Sequence, residues 1–113
     1  MAAGEGKVLE LVVFKVHDGV SRDDFLATND AVSTWISKRP GFVSRELSYD
    51  AEGDRWVDVL WWTSMEDAAE AAELALSSES CAPMFALIDT ESALMLHADR
   101  AIATVHAAAP RAA

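Results

Sequence analysis

The middle of the chain, residues 42–62, reads FVSRELSYDAEGDRWVDVLWW. Two runs rich in β-branched and aromatic residues, Phe42–Tyr49 and Arg55–Trp62, flank a polar segment that contains Gly53. A short polar loop with a glycine between two such runs is typical of a β-hairpin. The centre of the chain is therefore predicted to be a pair of antiparallel strands.

A helix is predicted on each side of this hairpin. The first begins at Ser21 and runs to about Lys38, where Pro40-Gly41 ends it, and the second begins at Ser64 and runs to about Leu76. Each serine has an aspartate three residues later, so hydroxyl and carboxylate can both satisfy free amides of the first turn. Apolar residues then recur at spacings of three and four, as an amphipathic helix requires.

Two outer strands complete the pattern. Val8–Val16 precedes the first helix, and Ser92–His97 follows the second after a short helical turn over Pro83–Ile88. The order strand–helix–strand, repeated twice, predicts a ferredoxin-like α+β fold with a split β-α-β arrangement. We expect a four-stranded antiparallel sheet in the order 4-1-3-2, with both helices on one face. This single domain is predicted to span residues 7–102, between a short tail (1–6) and an Ala-rich tail (103–113).

The charge balance of the chain excludes several classes of partner. Nine Lys and Arg stand against nineteen Asp and Glu in 113 residues, which gives a formal charge of −10. Nucleic acid and anionic membrane surfaces attract basic proteins, so neither is expected as a partner. No apolar run approaches the roughly 20 residues of a membrane span.

Cys81 is the only cysteine, so it can form neither an internal disulfide nor a thiolate metal cage. A reducing cytoplasm is therefore the expected location. No His or Lys lies near Cys81 in sequence to lower its pKa, and we interpret it as inert. The sequence has no phosphate loop, dinucleotide fingerprint or zinc-ligand spacing, so neither a cofactor nor a metal is expected.

Alternation along the strands places apolar side chains on both faces of the sheet. The first face is predicted to carry Leu9, Leu11, Val13, Val43, Leu47, Tyr49, Val57, Val59, Trp61, Leu94 and Leu96. The second is predicted to carry Val8, Glu10, Val12, Phe14, Val16, Phe42, Ser44, Glu46, Asp58, Leu60, Trp62, Met95 and His97. Two helices can cover only one face, and the other would expose more apolar area than a soluble monomer usually does. We therefore predict a homodimer.

Polar residues on the second face suggest a site. In the 4-1-3-2 order the first strand lies between the fourth and the third, so Glu10, Trp62 and His97 should meet at one end of the sheet, with Asp58 further along. A carboxylate and an imidazole in an apolar setting can bind and deprotonate a phenol-like compound. His97, Glu10 and Asp58 are the candidate catalytic residues. The alternative is that Glu10 and His97 form a structural hydrogen-bonded pair.

Four further residues are candidates for substrate binding. Asn29 interrupts the apolar face of the first helix, where its amide can orient a substrate oxygen. Trp62, Phe14 and Met95 would supply apolar walls for a planar ligand. The alternative for Asn29 is a satisfied core amide, and for Trp62 it is simple filling of the core.

Three segments carry a resemblance to a known family: VLELVVFKV (8–16), RPGFVSREL (39–47) and WWTSMEDA (61–68). Over residues 8–97 the chain resembles the dimeric α+β barrel superfamily, and within it the antibiotic-biosynthesis monooxygenase-like proteins. The resemblance implies a homodimer whose sheets form a barrel, with a pocket in each subunit between sheet and helices. It also implies oxygenation of phenolic polyketides without a cofactor. Haem-degrading members carry an Asn on the first strand and a His on the helix before the last strand; this chain has neither, so haem degradation is not expected.

Three hypotheses about function follow. The leading one is a cofactor-independent oxygenase-like enzyme that acts on a small planar phenolic or polyketide-like substrate. In it His97, with Glu10 or Asp58, takes the substrate proton, Asn29 orients the oxygen and Trp62 stacks on the ring. The second is a non-catalytic dimeric module that binds a small ligand or supports a partner, and the third is a cyclase or isomerase in the same pocket.

Overall fold

A computed structural model describes residues 6–106, which form one antiparallel sheet with helices packed on one side. The elements are β1 (Val8–Val16), α1 (Arg22–Ala27), α2 (Asn29–Ile36), β2 (Phe42–Asp50), β3 (Arg55–Trp62), α3 (Met65–Ala75), α4 (Ala82–Leu87) and β4 (Ile88–Asp99). The strand order is β2-β3-β1-β4, with every neighbouring pair antiparallel. This confirms the predicted ferredoxin-like α+β fold and its strand order. Residues 1–5 and 107–113, which contain most of both predicted tails, lie outside the described residues.

Both predicted helix starts are present. The Ser21 hydroxyl accepts a hydrogen bond from the amide of Asp24 at 3.0 Å, and the Ser64 hydroxyl accepts one from Asp67 at 3.1 Å. Each serine has extended backbone angles, as an N-cap residue requires. Local hydrogen bonding therefore fixes where the chain leaves β1 and β3 to enter the helical layer.

The first predicted helix is divided in two at Thr28. The carbonyl of Phe25 accepts three hydrogen bonds, from the Thr28 amide, the Thr28 hydroxyl at 2.7 Å and the Asn29 side-chain amide at 2.9 Å. Side chains that bond a nearby carbonyl compete with the regular helical ladder, so α1 ends here and α2 begins. At the other end of the chain, β4 is longer than predicted and starts at Ile88 instead of Ser92.

The register of β2 corrects the predicted assignment of its side chains. Phe42 pairs with Trp62, but Ser44 pairs with Trp61, so β2 holds one extra residue at a bulge. One added residue reverses which face every later side chain occupies. Arg45, Leu47 and Tyr49 therefore face the helices. The predictions that Leu47 and Tyr49 lie on the opposite face, and that Glu46 shares the face of Glu10, are wrong.

The helix-covered face packs into two clusters of buried side chains. The first contains Phe14, Phe25, Val32, Trp56, Ala75, Cys81 and Met84, and the second contains Val8, Ile36, Leu60, Trp62, Ala68 and Ala71. The alanines of α3 let that helix lie close to β1 and β3. None of the helices within residues 6–106 has the length and apolar character that crossing a membrane requires.

No helix of residues 6–106 lies over the opposite face of the sheet. Register places Leu9, Leu11, Val13, Val57, Val59, Trp61, Leu94 and Leu96 on this open face. Leu94 is 57% exposed and Leu96 39% exposed, while the side chains in the middle of the sheet are only partly covered by their neighbours. A continuous apolar face of this kind is a feature of interaction surfaces.

Candidate active site

A cavity of about 320 Å³ lies between the helix-covered face of the sheet and helices α2, α3 and α4. Its lining is Glu10, Val12, Phe14, Val32, Ile36, Arg45, Asp58, Leu60, Ala71, Ala72, Ala75, Leu76, Cys81, Met84, Phe85, Ile88, Thr90, Ala93 and Met95. A cavity of about 150 Å³ is enough to hold benzene. The space therefore suits a ligand of about two fused rings, and its walls are apolar apart from a few polar groups.

One row of cross-strand neighbours brings the charged residues to the floor of this cavity. Arg45 of β2 pairs with Leu60 on β3. Leu60 pairs in turn with Glu10 on β1, and Glu10 pairs with His97 on β4. All four side chains consequently project from the helix-covered face. Arg45, Leu60 and Glu10 line the cavity. His97 lies next to Glu10 on the edge strand β4.

The carboxylate of Glu10 is held by two neighbours through the same oxygen. Its Oε1 accepts a hydrogen bond from the indole Nε1 of Trp62 at 3.1 Å and lies 3.1 Å from Nε2 of His97. Within residues 6–106, Oε2 has no hydrogen-bond partner, and it is not fully buried. The structure thus brings together the three residues that strand order placed at this end of the sheet, and it leaves one carboxylate oxygen available to a ligand.

The surroundings of Glu10 raise its pKa above the ordinary value of 4.5. Burial is the main cause, because a carboxylate loses hydration in this apolar floor. Hydrogen bonds from His97 and Trp62 and the charge of His97 act in the opposite direction, while the negative charge of Asp58 adds to the rise. Glu10 therefore holds a proton more strongly than an exposed glutamate does, which suits a general base.

The raised pKa of Glu10 makes a prediction about stability. Between pH 4.5 and the higher pKa of the folded state, the folded chain binds more protons at Glu10 than the unfolded chain. The contribution of Glu10 to the free energy of unfolding must therefore fall as pH rises through that interval. Glu10→Gln removes this titration. In urea unfolding series, the free energy of unfolding of the wild type should therefore fall relative to that of Glu10→Gln as pH rises from 4.5 to neutrality.

Glu70→Gln is the control for that comparison, because Glu70 lies exposed on α3. Its unfolding free energy should follow the wild-type curve across the same pH series. A constant difference between wild type and Glu10→Gln at every pH would show that burial does not perturb Glu10.

A buried ion pair occupies the other side of the cavity floor. Arg45 Nη2 donates to Asp58 Oδ2 at 2.9 Å and Arg45 Nε donates to Oδ1 at 3.0 Å, with side chains only 7% and 8% exposed. Helix α2 completes the arrangement, since Asn29 Oδ1 accepts from Nη2 at 2.7 Å and Ser33 Oγ accepts from Nη1 at 3.1 Å. The guanidinium is thereby fixed in position from three directions.

Arg45 was not among the predicted site residues, although it shares one side of β2 with the apolar Leu47 and Tyr49. The bulge after Phe42 turns this side of β2, and Arg45 with it, toward the helices, and residue types do not reveal a bulge. Asp58 lies on the helix-covered face, as alternation predicts, and it lines the cavity. Its carboxylate, however, forms an ion pair with Arg45. Glu10 is therefore the better placed of the two carboxylates to act as a base.

The remaining predicted site residues divide into two groups. Phe14 and Met95 line the cavity. Asn29 and Trp62 are buried, and over residues 6–106 the lining includes neither of them, nor His97. Asn29 accepts a hydrogen bond from Arg45, and Trp62 donates one to Glu10. Both residues therefore affect the cavity only through another side chain.

Cys81 also lines the cavity, and it is 1% exposed. Burial raises the pKa of its thiol, which favours the neutral and unreactive form. Among residues 6–106 there is no group of three or more His, Cys, Asp or Glu side chains arranged to hold a metal ion.

Comparison with known proteins identifies the fold. No family model and no curated protein matches the chain. Among solved structures, a mutant of SnoaB, a cofactor-independent oxygenase from Streptomyces nogalater, is 17% identical with a TM-score of 0.66, covering 87% of this chain and 96% of its own.

Two further structures are similar. A monooxygenase from the gene ActVA-Orf6 of Streptomyces coelicolor, in complex with the ligand nanaomycin D, is 17% identical with a TM-score of 0.65, covering 92% of this chain and 96% of its own. A dimeric ferredoxin-like protein from an uncultured marine organism is 12% identical with a TM-score of 0.70, covering 91% and 95%. The chain therefore has the ferredoxin-like α+β fold of the antibiotic-biosynthesis monooxygenase-like proteins, as its sequence resemblance predicts.

Proposed function

We propose that this chain is a small oxygenase-like enzyme that acts on a planar phenolic compound without a metal or a flavin. One observation carries the proposal: Glu10 lines an apolar cavity with a buried carboxylate, one oxygen of which is fixed by Trp62 and His97 while the other has no hydrogen-bond partner within residues 6–106. Two proteins that share the fold are described as a cofactor-independent oxygenase and as a monooxygenase, which supports the same general kind of activity.

The proposed oxidation requires a base and an apolar cavity. With one O₂, 1,5-dihydroxynaphthalene would give 5-hydroxy-1,4-naphthoquinone and one water. Glu10 takes a hydroxyl proton, and the naphtholate then gives one electron to O₂. The two radicals combine at the ring carbon opposite that oxygen, and Glu10 returns its proton to the peroxide. The O–O bond breaks as the proton on that carbon leaves, so the ring is oxidised, the oxygen is reduced and water departs.

His97 and Trp62 position the base in this proposal. An ionised Glu10 requires a proton on His97 Nε2 to form the 3.1 Å hydrogen bond, and this fixes the tautomer of the neutral ring. The His97 side chain is 20% exposed, so it also offers a route by which Glu10 can exchange protons with solvent. Trp62 is fully buried and holds Oε1 from the β3 side.

Oxidation of 1,5-dihydroxynaphthalene tests the proposal. Wild-type protein in air should consume oxygen and form the quinone in a one-to-one molar ratio. An oxygen electrode measures the oxygen uptake, and absorbance measures the quinone. The same mixture without oxygen should form none. Protein that binds the compound but never accelerates its oxidation above the rate in buffer would contradict an oxygenase and favour a binding module.

We further propose that two copies pair through the open face of the sheet. Leu94 and Leu96 lie exposed there, and a protein of the same fold is described as dimeric. Leu96→Asp should convert the dimer to a monomer, because a charge on this apolar surface cannot be buried without a partner. Light scattering after gel filtration gives the mass. The control is Leu26→Asp, on the exposed side of α1, which should remain a dimer. A monomeric wild type at micromolar concentration would contradict the pairing.

A further inference from the structure

The edge strand β4 is irregular where it passes the cavity. Lys15 of β1 pairs with Asp89, and Val13 pairs with Leu94, so four residues of β4 stand opposite a single residue of β1. These four residues, 90–93, are called the β4 bulge below. Bulges at the edge of a sheet often redirect side chains beside a functional site.

The β4 bulge lies at the mouth of the cavity. Of the lining residues within 6–106, most are buried or half-buried, and four are exposed: Leu76, Thr90, Ala93 and Met95. Thr90 and Ala93 belong to the bulge, while Leu76 comes directly after α3. Leu76 is 80% exposed and Met95 is 45% exposed. The cavity therefore opens to solvent between the end of α3 and the β4 bulge, across a largely apolar rim.

The side chain of Ser92 connects the bulge to the sheet. Its hydroxyl accepts a hydrogen bond from the amide of Lys15 at 2.8 Å and donates one to the carbonyl of Asp89 at 2.6 Å. A main-chain carbonyl is the usual acceptor for such an amide in a β-ladder. The hydrogen bond from Lys15 is exposed, so water can replace it when the bulge moves outward. The bulge can therefore move without breaking the ladder between β1 and the rest of β4.

We infer that molecules enter the cavity beneath the β4 bulge, with Ser92 holding the bulge against β1 and Ala93 setting the width of the entrance. Ala93 carries only a methyl group at the rim, so a large side chain there would narrow the opening. This inference goes beyond the proposed function, because it concerns access to the cavity and not the reaction inside it.

Cys81 gives a direct measure of access. It is the single cysteine of the chain, it lines the cavity, and it is only 1% exposed. Methyl methanethiosulfonate is a small neutral reagent that converts a thiolate to its methyl disulfide and releases methanesulfinate. The rate of this labelling, followed by mass spectrometry at one fixed pH, reports how readily the reagent reaches the cavity.

Ala93→Trp is expected to slow the labelling of Cys81 at least about tenfold, because the bulky indole fills the entrance. The control is Ala86→Trp, which adds the same side chain at an exposed position of α4. Within residues 6–106 the lining of the cavity does not include Ala86, so this variant should label at the wild-type rate.

Ser92→Ala is expected to speed the labelling by about two- to tenfold, which corresponds to the loss of one ordinary hydrogen bond. The matched control is Ser37→Ala. The Ser37 hydroxyl also donates to a main-chain carbonyl, that of Thr34 at 2.9 Å, but it lies at the end of α2. Its removal should leave the labelling rate unchanged.

Low concentrations of urea separate movement of the bulge from unfolding of the whole chain. A local opening exposes little surface, so labelling through it should change little with urea. Labelling that requires complete unfolding should rise with urea as steeply as the unfolding equilibrium does. The wild type and all four variants are therefore labelled across the same urea series, below the concentration at which each unfolds.

The outcomes are distinct from those of the oxidation experiment. A wild-type rate in Ala93→Trp overturns the entrance, and an unchanged or slower rate in Ser92→Ala overturns the role of Ser92. Labelling that follows complete unfolding, or no labelling of the folded wild type, overturns both. None of these results depends on 1,5-dihydroxynaphthalene, so the entrance and the proposed oxygenase can fail independently.

Discussion

Glu10→Gln is expected to lower the rate of quinone formation from 1,5-dihydroxynaphthalene by about 10²- to 10⁴-fold, which is the usual contribution of a general base. Gln keeps the length of the side chain and an oxygen that can accept from Trp62, but it cannot take a proton. The loss should therefore fall on kcat, with little change in the affinity for the naphthol. Initial rates of oxygen uptake over a range of substrate concentrations measure both quantities.

Two controls isolate the base from its surroundings. Glu70→Gln changes the same residue type on the exposed side of α3 and should retain full activity. At neutral pH the melting temperature of Glu10→Gln should not fall below that of the wild type, since the hydrogen bond to Trp62 is kept and position 10 no longer carries a buried charge. Full activity in Glu10→Gln would remove Glu10 from the mechanism and leave the Glu10–His97 contact as a structural pair.

Arg45→Met is expected to lower the free energy of unfolding by about 3–5 kcal/mol, because it leaves the Asp58 carboxylate buried with no cation. The side chains of this pair are 7% and 8% exposed, so water cannot replace the lost partner. Typical domains have only about 5–15 kcal/mol of stability, and this change removes a large part of it. Urea unfolding followed by tryptophan fluorescence gives the value.

Removing both charges should restore much of the loss. Arg45→Met with Asp58→Asn leaves no buried ion, and replacement of a whole buried pair is often close to neutral. Arg55→Met breaks a half-exposed pair with Asp50 on the same hairpin and should change stability little. If Arg45→Met were as stable as Arg55→Met, the ion pair on the cavity floor would not be buried in solution.

Local sequence signals predict much of this fold because their physics is local. Ser21 and Ser64 satisfy the amides of the turns that follow them, and alternation in β1, β3 and β4 assigns each side chain to a face. The strand order then places Glu10, Trp62 and His97 together without any knowledge of the side-chain contacts. These three residues are the part of the site that the sequence could predict.

The other half of the site depends on one backbone irregularity. The bulge after Phe42 turns Arg45 toward the helices together with Leu47 and Tyr49, and residue types in β2 do not reveal a bulge. The role of Asn29 was hidden for the same reason, because its partner Arg45 was assigned to no site. Both features are set by how β2 pairs with β3 and packs beneath α2, which local patterns do not determine.

A crystal structure of the protein with 1,5-dihydroxynaphthalene, prepared without oxygen, tests the central claim most directly. The expected result is a ring lying over Leu60 in the cavity, with one hydroxyl oxygen within about 2.5–3.0 Å of Glu10 Oε2. A ring bound outside the cavity, or one inside it with both hydroxyls turned away from Glu10, would contradict the claim.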